Sequence, residues 1–426
     1  MQKTGIESGL DAFAGRMLAA LYDAQDDGDS FVASPASTYV ALEALARGAE
    51  GETFNEIDVV LGGGAPRKAA CEALFGESDP YQPDGYCFTL GVSVWADPSE
   101  APLRRSYVKS LKGLNADAFA GKPQSGEVQS KMADWLARNT GGKFAIAPTF
   151  GPDASLVLLN VLHFKDTWLD RFEEEIELEF NAPGAPQTVP AMVGRGNCGW
   201  LIDDADGIAV RWPMMSGASA VFAMPSGAGE IGGFVSGGAA WRLIAHCRDR
   251  QGAERPAGGI DLIVPVIDLE ADGASLAELL KSMGVRRAFS PAAQLTGMTK
   301  ANARVDSVVQ NAQLKLDLNG AEGVAFTLVV AAAEAVPEEW PPEPVEVVLD
   351  RPFAFALFSS TGAPLFVGVY EGTASGDVPY GRRLASALSE SRKDFGEGRY
   401  CSSHEDLLAA AAQNGSPFVP WSEFSG

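Results

Sequence analysis

The sequence predicts an α+β fold, and three observations carry that prediction. Strands and short helices alternate irregularly ahead of Val305, nearly everything after it is strand-like, and one long loop interrupts those last strands. A doubly wound α/β sheet would alternate regularly, and a helical repeat would show a fixed period; neither pattern occurs.

Near the N-terminus Leu10, Phe13, Met17 and Leu21 lie three or four apart, which places them on one face of a helix. Ser34-Pro35 opens a second helix, since Ser34 can accept from the first free amides and Pro35 suits the first helical position. Gly48 is placed to end it. Thr53 and Glu56 have capping-box spacing, which predicts a short helix starting there and finishing at Leu61-Gly62. A strand runs through residues 88–95. Residues 131–138 read as helix, with Met132 and Trp135 on one side and Gly141-Gly142 as the stop. Residues 156–164 read as a buried strand that carries His163. Leu276, Leu279, Leu280 and Met283 form another helical stripe, closed by Gly284. Strand-like runs follow at 305–318, 328–333, 345–349, 353–358 and 365–370.

With 426 residues, 46% of them hydrophobic, the chain can bury a sizeable core in one large domain or two ordinary ones. No stretch approaches the ~20 apolar residues of a membrane span. The first residues lack the basic and apolar blocks of a secretory leader, so a cytoplasmic product is expected, or an extracellular one if another route exports it or a leader is already gone. A formal net charge of −23 repels nucleic acid and anionic lipid, so neither nucleic acid nor membrane is an expected partner. Cys71, Cys87, Cys198, Cys247 and Cys401 are scattered without metal or redox spacing, and read as reduced, isolated thiols. His163, His246 and His404 leave little material for metal or general-base chemistry. No metal or cofactor is expected.

Two motifs mislead. Residues 227–232 match a glycine-rich dinucleotide pattern after a strand-like run. Pro225 and Ser226 intervene, however, and residues 234–238 read as a flexible loop rather than the helix that would hold a pyrophosphate. The motif is read as a turn. A hydrolase would need a nucleophile with a base and an orienting acid, and no GxSxG elbow is present. Catalysis is not indicated.

The stretch between Gly320 and Asp350 stands apart. It is rich in alanine, glutamate and proline, and both flanks read as core strands of one domain. Loops of that length inside a compact domain are uncommon and usually functional or disordered. Pro337, Pro341, Pro342 and Pro344 favour an extended, exposed path.

Taken in order, these elements resemble the serpin family over residues 5–373, in a bacterial type with a C-terminal extension at 374–426. Phe31-Val32-Ala33-Ser34-Pro35-Ala36-Ser37 is similar to the family's entry into its central buried helix. Thr140-Gly141-Gly142-Lys143 resembles the end of the helix that crosses the main sheet. Leu158-Leu159-Asn160-Val161-Leu162-His163-Phe164-Lys165-Asp166-Thr167-Trp168 is similar to its most recognisable strand. Val189-Pro190-Ala191-Met192, Leu295-Thr296-Gly297-Met298-Thr299, Asp350-Arg351-Pro352-Phe353 and Pro364-Leu365-Phe366-Val367-Gly368 fall where the family pattern expects them.

The resemblance implies a monomer of three β-sheets and about eight or nine helices, with an exposed reactive-centre loop on a large strained sheet. It implies that a target serine protease attacks the loop and forms an acyl-enzyme, and that the cut loop then inserts as a new strand and distorts the protease. Losing one oxyanion donor costs a protease ~100- to 1000-fold, so modest distortion stalls deacylation.

An inserting strand must alternate, with every second side chain facing the core. Taking Gly320 as the hinge glycine, one set is Ala321, Gly323, Ala325, Thr327, Val329 and Ala331, all small or β-branched and uncharged. The other set, Glu322, Val324, Phe326, Leu328 and Val330, carries the charge and the bulk. An inward charge would be costly, so the division suits insertion. Inhibitory serpins usually carry acidic residues just before the hinge glycine, where this chain has Leu318 and Asn319. Alanine is usual where it has Gly323 and Phe326. These departures keep a noninhibitory serpin-fold binding or chaperone protein as the second reading. Ser34, Ser37, Asn160 and Gln310 match the positions of a polar cluster that governs sheet opening, and Gln310 stands where many members have histidine.

The family's usual spacing from Gly320 puts the scissile bond at Glu334-Ala335, although the loop runs longer than usual before Pro352. No Lys or Arg occurs from Leu316 to Asp350, which argues against a trypsin-like target. A glutamate-specific protease fits Glu334, and an elastase- or subtilisin-like one fits the small apolar residues around it. Residues 374–426, with Arg382-Arg383 and Arg392-Lys393, are expected to be a loosely docked tail.

Overall fold

The computed structural model describes residues 6–24, 29–77, 86–114, 116–227, 230–321 and 342–373. The chain divides into two units, Met1–Thr373 and Ala374–Gly426; every described residue belongs to the first, and the expected extension lies outside them.

The fold is α+β, with three sheets. Helices are α1 (Ile6–Tyr22), α2 (Pro35–Ala46), α3 (Gly51–Val60), α4 (Gly64–Glu77), α5 (Arg105–Leu111), α6 (Gly126–Asn139), α7 (Ile231–Ser236), α8 (Ala239–Asp249) and α9 (Ala277–Ser282). In chain order the strands are β1 (Phe31–Ala33), β2 (Cys87–Ala96), β3 (Ala116–Ala120), β4 (Leu156–Thr167), β5 (Phe172–Phe180), β6 (Gln187–Gly196), β7 (Trp200–Asp203) and β8 (Gly207–Pro213). They continue as β9 (Ser219–Pro225), β10 (Ile260–Pro265), β11 (Ile267–Ser275), β12 (Ser307–Asp317), β13 (Gly320–Ala321), β14 (Val345–Val348), β15 (Phe353–Phe358) and β16 (Pro364–Tyr370). The large sheet has the order β11-β12-β13-β4-β2-β3; the other two are β1-β16-β15-β9-β8-β7 and β14-β10-β6-β5.

Helix α2 sits inside the molecule. All twelve of its residues are buried, between β16 on one side and β2 and β4 on the other. Its sequence is accordingly small or apolar all round, as a fully enclosed helix requires. The one charge, Glu43, is matched by Arg47 Nε at 3.1 Å and Arg67 Nε at 2.7 Å, which offsets the cost of burying a carboxylate. Ser34 caps the helix, accepting from Ser37 N at 3.2 Å, and Pro35 takes the first position.

Helix α6 covers the outward face of the large sheet. Val128, Met132, Trp135 and Leu136 pack on Val157, Leu159, Val161 and Val309. Trp135 also donates from Nε1 to Asp117 Oδ2 at 2.8 Å, fixing the helix to β3. Ser125 caps its start and Gly141-Gly142, both with positive φ, end it.

Three local expectations are corrected. Helix α3 begins at Gly51, not at Thr53, because the Gln294 side chain accepts from Glu52 N at 2.8 Å and serves as the cap from outside. Thr53 Oγ1 instead accepts from Gln294 N, and Glu56 accepts from the amides of Arg286 and Arg287. Residues 234–236 belong to α7, not to a flexible loop: Ile231, Phe234 and Val235 are buried, and that packing outweighs the helix-breaking glycines. His163 is half-buried on the outward face of β4, rather than enclosed, because it lies beyond the part of the strand that α6 covers.

Candidate functional site

The large sheet is forked. β4 and β12 run parallel and pair directly at Ser307–Asn311 with Val157–Val161. Past Asn311 and Val161 they part. At the far end β13 enters between them, antiparallel to both. Ala321 lies opposite Leu316 and Asp166, and Gly320 opposite Asp317 and Thr167. Between the fork and β13 is a cavity of about 50 Å³, lined on the sheet by residues 162–164 and 313–315 and from above by Thr140, Lys143 and Phe144.

Each part of the hinge has a local cause. Gly320 has φ +139°, and a Cβ there would sit 2.1 Å from Asp166 O, so only glycine brings the chain this close to β4. Ala321 is 1% exposed and faces the core, where a larger side chain would meet Leu316. The turn before it is held by Asp317, whose Oδ1 accepts from Asn319 N at 2.8 Å and whose carbonyl accepts from Trp168 Nε1 at 2.7 Å. Leu318 and Asn319, which depart from the family's acidic pattern, are the turn residues themselves. Asp166 accepts from Ser216 Oγ at 2.5 Å and Thr167 N at 2.8 Å. Burial pushes its carboxyl above the usual range, with those donors pulling the other way.

Below the fork lies the polar cluster. Asn160 and Gln310 are register partners on β4 and β12, and both face α2. Gln310 Oε1 accepts from Ser34 N at 2.9 Å. Its Nε2 lies 2.8 Å from each of Ser34 O, Ser37 Oγ and Thr38 Oγ1. Ser37 Oγ donates to Asn160 Oδ1 at 2.8 Å, and Asn160 Nδ2 donates to Val309 O at 3.1 Å. The structure thus brings Ser34, Ser37, Asn160 and Gln310 together and adds Thr38. Thr38 follows from the helical i+4 spacing to Ser34, which was available in the sequence. Among the described residues these bonds join only amide, hydroxyl and backbone groups.

Gly320 and Ala321 are described; Glu322, Gly323, Val324, Ala325, Phe326, Thr327, Glu334 and Ala335 lie outside the described residues. Among the described residues no group of three or more His, Cys, Asp or Glu is placed to hold a metal. Nor is any helix among them long and apolar enough to cross a membrane. Among the described residues Cys71, Cys87, Cys198 and Cys247 form no disulfide, and Cys401 lies outside the described residues.

Such a fork can accept a strand. Continuation of β13 would replace a parallel pairing by two antiparallel ladders, which are slightly more stable per residue. A strand placed there would also fill the cavity.

A central buried helix, a forked main sheet and a hinge glycine at its mouth define the serpin architecture. The family model described as Serpin (serine protease inhibitor) matches residues 8–371, and the chain belongs to that family, one of inhibitors rather than of enzymes. The chain is 27% identical over 374 residues to a serpin-like protein of Pyrobaculum aerophilum, covering 83% of this chain and 91% of that one. It is 26% identical over 367 residues to the plasma serine protease inhibitor of Bos taurus, covering 83% and 87%. Among solved structures, the thermophilic serpin tengpin in its native state superposes with a TM-score of 0.74 at 20% identity, covering 88% of this chain and 95% of that one. Thyroxine-binding globulin in complex with thyroxine superposes at 0.70 and 21%, covering 86% and 98%. At those identities the structures speak for the fold alone.

Proposed function

We propose that this chain inhibits a serine protease as a suicide substrate: the protease cuts the loop after Ala321, and the severed segment enters the large sheet as a strand before the acyl-enzyme is hydrolysed. One observation carries the reading. Gly320 and Ala321 already pair between β4 and β12 above a fork, so insertion continues an existing strand and needs no new nucleus. The small inward set from Gly323 to Ala331 supports it, because those side chains enter a core without overpacking.

The polar cluster of Ser34, Ser37, Thr38, Asn160 and Gln310 would set the resistance to opening, since it ties the first pairs below the fork to α2. The scissile bond is placed at Glu334-Ala335, and the target is an elastase-, subtilisin- or glutamate-specific enzyme, not a trypsin-like one. The absence of Lys and Arg from Leu316 to Asp350 supports that choice. The bacterial type belongs to the same reading, as does an extension at residues 374–426 outside the inhibitory unit; a family match that ends at residue 371 is in keeping with the extension.

The test is incubation with elastase-, subtilisin- and glutamate-specific proteases, followed by denaturing electrophoresis. A boiling-resistant adduct is expected with at least one of them. Clean cleavage with no adduct and no gain in thermal stability would favour the second reading, a serpin-fold binding or chaperone protein, which Gly323 and Phe326 support as departures from the inhibitory pattern.

A further inference from the structure

Above the fork, alternate residues of β4 and β12 divide between core and surface. Leu162, Phe164, Leu314 and Leu316 belong to the core, so Lys165 and Lys315 project from the outward face. Both are partly exposed. Lys165 is paired across β2 with Cys87, and Lys315 across β11 with Asp268. Ala321 is the last residue of β13. One step further along both ladders are Lys315 on one side and Lys165 on the other. A residue continuing this register past Ala321 would fall between the two lysines and face outward with them. That residue is Glu322.

We propose that Lys165 and Lys315 form a carboxylate-binding site at the mouth of the large sheet, and that its ligand is the Glu322 side chain of this same chain. The proposal rests on the insertion reading above and deepens it. With a strand between them the two lysines would stand two strand spacings apart, roughly 9.6 Å, and a residue of that strand would lie about 4.8 Å from each backbone. Among the described residues Lys165 has no ion-pair partner, and Lys315 has Asp317 at 3.5 Å. Lys315 and a third lysine, Lys143, line the cavity, although the whole chain carries a net charge of −23. With Glu322 in place the outward row reads Lys165, Glu322, Lys315, Asp268, in alternating sign. Opposite charges on cross-strand neighbours are favourable and like charges are not.

The register also fixes when this contact forms. In a continued register positions 322–325 would face residues 162–165 and 312–315, which lie above the direct β4–β12 pairing, and position 326 would face Asn311 and Val161, the first direct pair. In that register Glu322 would reach its lysines before any pair of the fork has to separate. Gly323 and Ala325 would fall on the core side of these positions, opposite Phe164 with Leu314 and Leu162 with Ala312, where small side chains fit.

The test uses the full chain, intact and cut once in the loop by an elastase- or subtilisin-like protease. The gain in melting temperature on cutting is measured at about 20 mM and about 500 mM salt, where screening lengths differ several-fold. At low salt the wild-type gain is expected to exceed that of Glu322→Gln, and that of Lys165→Gln with Lys315→Gln, by about 2 °C. Combining all three changes should add nothing more. High salt should erase the difference, and the reversed set Glu322→Lys, Lys165→Glu and Lys315→Glu should restore the wild-type gain. A wild-type gain with Glu322→Gln indistinguishable from it at low salt overturns the lysine site alone. No wild-type gain at all overturns the insertion reading and this site with it. A gain that rises with protein concentration, alongside dimers in solution, assigns the lysines to a second copy's segment and overturns the own-chain assignment.

Discussion

Gln310 of β12 and Asn160 of β4 are direct cross-strand partners one step below the fork, and the Gln310 amide reaches on to bond the first turn of α2. The sheet can separate there only by breaking the bonds that also hold the capping turn of the central helix.

Gln310→Ala is therefore expected to lower the stability of the intact protein by about 2–3 kcal/mol, since it strands the buried Ser34 N–H and leaves a void. The check is the thermal midpoint of the uncut protein, with Gln310→Glu as a companion. Glutamate keeps the size but cannot donate from its ionised form, so it too should be less stable at neutral pH.

An amide does not titrate, so this cluster should contribute no pH step between about pH 5.5 and 7.5. Gln310→His should add one. Burial disfavours the imidazolium and depresses its folded-state pKa, so stability present above the unfolded value near 6.5 is lost as pH falls below it. Melting curves across that range test the sign.

Asp166 works in the opposite direction. Burial raises its folded-state pKa above the ordinary value of 3.8, so stability fully present below that value is lost as pH rises through the raised one. Asp166→Asn should accordingly gain on the wild type as pH is raised from below about 4 toward neutrality. A constant offset in melting temperature across that range would show that Asp166 does not titrate as its burial demands.

Gly320→Ala should remove the hinge pairing, because its Cβ would meet Asp166 O at 2.1 Å and its φ of +139° is unfavourable for alanine. The expected result is a protein that is still cleaved in the loop but forms little or no adduct. An adduct yield equal to wild type would separate hinge pairing from inhibition.

Glu334→Arg should redirect the protein toward trypsin-like enzymes, whose specificity pocket requires a basic side chain. Adduct formation with such an enzyme by the variant but not the wild type, together with release of a peptide beginning at Ala335, is the expected outcome. Cleavage confined to residues 337–344 would move the scissile bond.

Much of the architecture was legible. The buried helix after Ser34, the strand through residues 156–164 and the strand-like runs at 305–318, 345–349, 353–358 and 365–370 each carry local patterns that the fold respects; the run at 328–333 lies outside the described residues. The missed elements had weaker signals. Ala240, Leu243, Ile244 and Cys247 of α8 do repeat at helical spacing, but α7 is half glycine and serine and is held only by the burial of Ile231, Phe234 and Val235. The Thr53 and Glu56 spacing misled because Gln294, more than 230 residues away in the chain, caps α3 instead.

The sequence alone determined that a stretch of alternating small and bulky residues follows a glycine, and that no basic residue lies in it, because those are properties of consecutive side chains. Only the tertiary structure decided that β4 and β12 part above Asn311, that Ala321 enters between them, and that Lys165 and Lys315 face the same next position. Parallel pairing between strands about 150 residues apart has no local signature. It is set by which buried faces α2 and α6 bring together, and that is a property of packing rather than of neighbouring residues.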